Sequence, residues 1–338
     1  MKQFARRKWM QPALTIFFLC CLVQNGFSQG YHHSKTFKIA SSGGWDYIAV
    51  GPSHLLYVSH GTQVNILNER NGDSVGVIPN TTGVHGIAFD PSTGQGFTSN
   101  GRLNTVTVFD LKTFKVLKQV PVGENPDAIM YDAFSKRIIT CNGRSKDLSF
   151  LNPASGEVTG TVAVSGKPET AVSDENGKLF VNIEDKNLVE MINLKTMKVE
   201  GSWPISPGES PTGLAIDVKT KRLFAGCDKM LMVIDAENGK VVQKVPIADG
   251  CDGVAFDPAT RNIFASCGEG KLTIIHESSS DNFSVVANVP TMRSARTCTI
   301  DLETHEIFLP AAEMEAAVSG QRPKMKDGTF QVLVMSDK

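Results

Sequence analysis

Seven positions recur along this chain at nearly constant intervals: Asp46, His85, Asp127, Glu169, Thr212, Asp252 and Arg296, separated by 39, 42, 42, 43, 40 and 44 residues. Brought together, four carboxylates would hold cations or exchange protons, and a histidine among them would titrate near neutral pH. An arginine in the same place would meet a carboxylate or phosphate through its planar fork. A second series follows the first by 14 or 15 residues: His60, Asn100, Asn142, Ile183, Cys227, Cys267 and Ala311. Converging polar groups in a concave site are the default place to look for binding or catalysis. The oxygen donors Asp46, Asp127, Glu169, Asn100 and Asn142 would suit calcium or magnesium in a metal-assisted hydrolase of the lactonase kind.

What positions these residues is a segment written seven times. It reads GIAFDP at 86–91 and GVAFDP at 253–258, with AIMYD (128–132), TAVSD (170–174), GLAID (213–217) and TCTID (297–301) as further copies. YIAVGP at 47–52 is the first copy and lacks the aspartate. The second copy continues as GFTSN, TVTVFD and KVLKQVPV, with PSTGQ, GRLN and LKTF between the runs. Four short runs rich in Val, Ile, Phe and Thr, separated by turn residues, predict a four-stranded antiparallel meander. A period near 42 residues with four strands in each is the propeller signature. The expectation is an all-β, seven-bladed β-propeller of four-stranded antiparallel blades. Its seventh copy holds only three strands (297–301, 306–309 and 330–335), while KTFKI at 35–39 has no repeat of its own. The N-terminal strand should therefore close the ring in the last blade, which removes exposed strand edges.

In a meander blade, the loop into the first strand and the loop from the second to the third strand open on one face. Both series should then ring one mouth of the central channel, with ligand-binding candidates Asp46, His60, His85, Asn100, Asp127, Asn142, Glu169, Asp252 and Arg296. The competing role is structural, because acids and amides at strand starts often bond the preceding loop. Variation within the ring argues for function, since a purely structural position would repeat one residue type. The aspartates ending the first strands (Asp90, Asp132, Asp174, Asp217, Asp257 and Asp301) do repeat, and are expected in turns. Phe97, Phe224, Phe264 and Phe308 recur at one offset and are expected in the core. Between the second and third strands of copy seven lies a long insertion, AAEMEAAVSGQRPKMKDGT at 311–329. A short helix from Ala311 to Val318 is expected there, and Glu313, Glu315, Arg322 and Lys324 would form a lid over the mouth.

Residues 106–146, VTVFDLKTFKVLKQVPVGENPDAIMYDAFSKRIITCNGRSK, resemble the repeat of the YVTN-type (YncE-like) β-propeller proteins. The eponymous strand of that family is matched by FTSN at 97–100, ITCN at 139–142 and, degenerate, FVNI at 180–183. The resemblance implies an exported seven-bladed propeller and carries no shared catalytic residues.

The N-terminus agrees with export. Lys2, Arg6, Arg7 and Lys8 precede an apolar run of 11 residues from Ala13 to Val23, and Gly26 and Ser28 favour a cut before Gln29. Residues 1–28 are thus expected to be a signal peptide and 29–338 a single propeller domain, periplasmic or extracellular. No other run approaches the length of a membrane span. Removing the signal removes four positive charges, leaving a net charge of −5, which lacks the basic footprint of a nucleic-acid binder. Five cysteines remain, an odd number without zinc spacing, and Cys227 and Cys267 are the pair best placed for a disulfide or soft metal. GDSVG at 72–76 matches a nucleophile elbow in letters only, since Asn71-Gly72 reads as a hairpin turn. The chain therefore reads as an exported binding scaffold for a small ligand or a partner protein, with the hydrolase as the alternative.

Overall fold

Strands two and three of each repeat are continuous apolar runs, so each must be covered on both faces. In the computed structural model, which describes residue 1 and residues 30–316 and 324–337, seven four-stranded antiparallel sheets do this by packing face to face in a ring. The expected signal peptide lies outside the described residues, apart from Met1. Among the described residues, no helix is long and apolar enough to cross a membrane.

The inner strands, in blade order, are Trp45–Gly51, Val84–Asp90, Pro126–Asp132, Pro168–Ser173, Leu214–Asp217, Cys251–Asp257 and Thr299–Ile300. Second and third strands such as Leu55–His60 and Gln63–Asn68 are buried almost throughout, whereas outer strands such as Val116–Pro121 are mostly exposed. The core accordingly lies between blades. Phe97, Phe224, Phe264 and Phe308 occupy it with no exposure, joined by Tyr57 and Phe180. The repeated aspartates hold the turns that follow the inner strands: Asp90 Oδ1 accepts from the Ser92 amide at 2.9 Å, and Asp257 Oδ1 from the Ala259 amide at 2.9 Å. This is the Asx-turn chemistry that makes aspartate repeat.

Blade seven combines both ends of the chain. Thr299–Ile300, Ile307–Ala311 and Gln331–Ser336 are joined by His32–Lys38, which pairs antiparallel with the last strand, Phe37 opposite Val332. The closing strand begins earlier than residue 35, at His32. Phe37 and Ile39 are buried with Phe308, Phe330 and Val332. Gly72, in the outer turn of blade one, has φ +76°, and a Cβ there would strike the Phe37 ring. Closure is thereby locked to the neighbouring blade as well as to the last strand.

Removing residues 29–40 should uncover the last strand and cause aggregation or a marked fall in melting temperature. Phe37→Ala is the milder version and should cost about 3–5 kcal/mol, as for other buried phenylalanines. A soluble, monomeric, equally stable truncation would contradict closure by this strand.

Candidate channel-mouth site

The first series comes together because of how the inner strands begin. In blades one to four and six, pairing with the second strand shifts register just after the first inner-strand residue. Such bulges bend a strand and re-aim its side chains. They carry Asp46, His85, Asp127, Glu169 and Asp252 to the channel. Hydroxyls one residue before the end of the second strand help hold the bulges. Ser59 Oγ accepts from the Asp46 amide at 3.0 Å and donates to Tyr47 O at 2.8 Å. Ser99 Oγ accepts from the Gly86 amide at 2.8 Å and donates to Asp127 O. Thr212 joins this scaffold, its hydroxyl donating to Cys251 O at 2.6 Å.

Around the mouth runs a chain of opposite charges. Arg296 Nη1 pairs with Asp252 and with Asp46 Oδ1 (3.3 Å), and Nη2 donates to Trp45 O at 3.3 Å. Asp46 Oδ2 lies 2.5 Å from His85 Nδ1, which is 3.6 Å from Asp127 Oδ1. Glu169 pairs instead with Lys167 Nζ at 2.5 Å, which also reaches Glu184 at 2.5 Å. The His85 side chain is 27% exposed and that of Asp127 13%, so these charges are partly withdrawn from water.

Burial opposes a charge on His85. The Asp46 hydrogen bond and the fields of Asp127, Asp46 and Glu169 outweigh it and hold the imidazole up to about 9. Burial, reinforced by Asp46, raises the Asp127 carboxyl even though His85 and Lys167 pull the other way. Glu169 is raised by burial and by Asp127 despite its ion pair with Lys167, because desolvation outweighs that attraction. Asp252 is raised for the same first reason, with Arg296 opposing.

The second series does not reach the mouth. His60, Asn100, Asn142, Ile183, Cys227, Cys267 and Ala311 have no more than trace exposure. Strand two is covered on both faces, so its terminal side chains turn into the blade stack. Asn100 accepts from Thr98 Oγ1 at 2.9 Å and donates to Thr107 Oγ1 at 2.8 Å; Asn142 accepts from Thr140 and donates to Asp147 and Ser149. His60 bonds Ser41 Oγ at 2.5 Å and stacks on Phe330 at 3.9 Å between centroids, and burial lowers its pKa. These residues are blade-internal fasteners, and the amides of Asn100 and Asn142 are not cation ligands. Cys227 and Cys267 are not joined, and all five described thiols are free.

The insertion in blade seven forms no helix over its described part. Ala311 ends a strand, and Met314 pairs antiparallel with Met325, Glu315 N donating to Lys324 O at 2.8 Å. No helix starts at Ala311, because Ala311 and Ala312 are fully buried and Ala312 O accepts from Ser294 Oγ. Glu313 pairs with Lys326 at 2.9 Å. Among the described residues, no hydrogen bond or ion pair joins Glu313, Glu315 or Lys324 to the charged ring. Arg322 and residues 317–323 lie outside the described residues.

Three residues at the site escaped the sequence reading: Lys167, Glu184 and Tyr47. Two carried a signal. At the position of Lys167 the other repeats hold Gly44, Gly83, Asn125, Ser210, Gly250 and Ser294; at that of Tyr47 they hold Gly86, Ala128, Thr170, Gly213, Gly253 and Thr297. A large side chain in a row of small ones is the anomaly. Tyr47 enters the channel, where burial and the carboxylates of Asp127, Glu169, Asp46 and Asp252 keep its hydroxyl protonated. Beside it, a cavity of about 130 Å³ is lined by Tyr47, Ile87, Ile129, Cys141 and Ala171. A second, open groove of about 1030 Å³ is bordered by Lys229, Asp249, Glu269, Lys271 and Arg293.

No protein-family profile matches the chain, and no curated protein matches it. Among solved structures it is similar to Kuenenia stuttgartiensis hydrazine synthase, with a TM-score of 0.71 at 15% identity, over 80% of this chain and 93% of that one. At that identity the likeness shows the propeller fold alone.

Because folding raises the His85 pKa above its ordinary 6.5, the stability it contributes is complete below pH 6.5 and lost as pH rises through about 9. In metal-free buffer its ring resonances should titrate near pH 9. The melting-temperature gap between wild type and His85→Gln should close over the same window. A ring titrating at or below 6.5 would show that Asp46 and Asp127 do not hold the proton.

Proposed function

We propose that this chain is an exported β-propeller scaffold that binds a ligand or a partner protein at the mouth of its channel. The observation carrying this reading is the convergence of Asp46, His85 and Asp127, from three successive blades, on one partly buried point. Burying like charges costs stability, and folds keep such arrangements mainly where they serve a site. The adjoining cavity and the open groove give a ligand or a partner surface to occupy. Export is supported by the signal-like residues 1–28 and by the likeness of the repeats to YVTN-type propellers; the protein would then act in the periplasm or outside the cell.

A second reading, a metal-assisted hydrolase of the lactonase kind, is favoured by the same histidine–carboxylate cluster. Calcium or magnesium would depend on the carboxylates alone, with Asn100 and Asn142 turned away. Lactone hydrolysis by purified protein that disappears with a chelator would establish it over the scaffold.

Two measurements test the proposal. The protein recovered from the cell exterior or periplasm should begin at Gln29. Against a thermal-shift screen of small polar compounds, His85→Ala should weaken binding of any hit by about tenfold or more, and the loss should persist above pH 9, where the stability contributed by the His85 charge is gone. Arg296→Ala, which breaks the ties to Asp252, Asp46 and Trp45, should instead lower the melting temperature first. Unchanged affinity in both variants would remove the site from this mouth.

A further inference from the structure

We infer that Asp46, His85 and Asp127 form a site for one divalent transition-metal cation of the zinc class. The inference rests on the mouth being a binding site and names what that site holds first.

One oxygen from each carboxylate and one His85 ring nitrogen lie within 4.8 Å of one another. The His85 Nδ1 separations, 2.5 Å to Asp46 and 3.6 Å to Asp127, bracket the roughly 3.3 Å between neighbouring ligands of a tetrahedral ion bound at about 2.0–2.1 Å. Asp127 supplies an independent observation. Its side chain is mostly buried (13% exposed), yet its carboxylate accepts no hydrogen bond from any described residue and has only a long ion pair, 3.6 Å, to His85 Nδ1. A buried carboxylate left in that state is costly unless something else satisfies it.

The donor set selects the metal. Calcium needs six to eight oxygens and magnesium a near-ideal oxygen octahedron. Here one nitrogen and two carboxylates converge, a combination suited to zinc, manganese(II), iron(II) or cobalt(II). Two carboxylates and a neutral imidazole also balance the charge of a divalent ion, which takes the place of the His85 proton. Three protein ligands leave positions for water or a ligand from the channel, and the Tyr47 hydroxyl, protonated and without a hydrogen-bond partner among the described residues, stands in the same space. The supporting partner is Arg296, which holds the second oxygen of Asp46.

The test uses the full chain without a purification tag, stripped with a chelator and titrated calorimetrically with zinc, manganese and calcium chlorides. One zinc per chain should bind, with calcium giving no saturable heat. Asp127→Asn should weaken zinc by about 100-fold or more. His54→Ala, a histidine on the opposite face, should not. Cobalt(II) added to the wild type should give the absorption bands of a low-coordinate nitrogen–oxygen site, a readout independent of whether any variant folds. No stoichiometric zinc, a preference for calcium, or equal zinc affinity in a folded Asp127→Asn would each overturn the inference. If zinc fails but His85→Ala still weakens a hit from the thermal-shift screen, the mouth remains a binding site and only the cation is wrong.

Discussion

The close approach of the inner strands at the channel axis governs much of the rest of the molecule. A Cβ on Gly86 would come within 2.8 Å of Ile129, one on Gly213 within 2.7 Å of the Val254 amide, and one on Gly253 within 2.7 Å of the Cys298 amide. The position after each ring residue is therefore small in every blade but the first, where Tyr47 stands, and the ring position itself, carried on a bulge in five blades, has room for a long polar side chain. Serines such as Ser59 and Ser99 help keep the bulges in shape by bonding the peptide groups that leave the ladder. A channel mouth lined by one residue per blade follows from packing before any question of function arises.

That geometry also explains the electrostatics. Forcing seven strand starts around a narrow axis buries Asp127, Glu169 and Asp252 and sets them near other carboxylates, and both effects raise their affinity for protons. Three cationic side chains offset them: Arg296 between Asp252 and Asp46, His85 between Asp46 and Asp127, and Lys167 beside Glu169. The compensation is uneven. Arg296 spends its fork within the protein, so the ligand-facing role expected of it gives way to a structural one. Asp127 is the member served least well.

The fold was legible because it repeats. A 42-residue period, a turn aspartate at a fixed offset and an orphan strand at the start gave the blades, the turns and the closure. The inner ring was legible for the same reason. The outer ring failed because topology places a residue at one end of a blade without saying which way its side chain turns. His60, Asn100 and Asn142 lie at the expected end, but strands covered on both faces direct them inward. The lid failed on propensity. Alanines favoured a helix in isolation, and burial of Ala311 and Ala312 against blade seven kept the chain extended past the end of the strand at Ala311. Lys167 and Tyr47 were missed because attention went to what repeats, and they matter by departing from it.

Repetition and departure from it divide the labour of this chain. Positions that hold the ring together change little from blade to blade: the turn aspartates and the aromatic ring in the second strand. Positions at the mouth change freely, and their differences are concentrated. Blades one to three supply Asp46, Tyr47, His85 and Asp127, blade four supplies Glu169 and Lys167, and blade five contributes only Thr212, committed to a peptide carbonyl. A pseudosymmetric scaffold thus carries an asymmetric site, displaced toward the blades where the small cavity also lies. If the ring existed only to close the propeller, the closure would be served equally well by seven threonines like Thr212. Six blades depart from that solution, and in three adjacent ones the side chains of Asp46, His85 and Asp127 meet at one point.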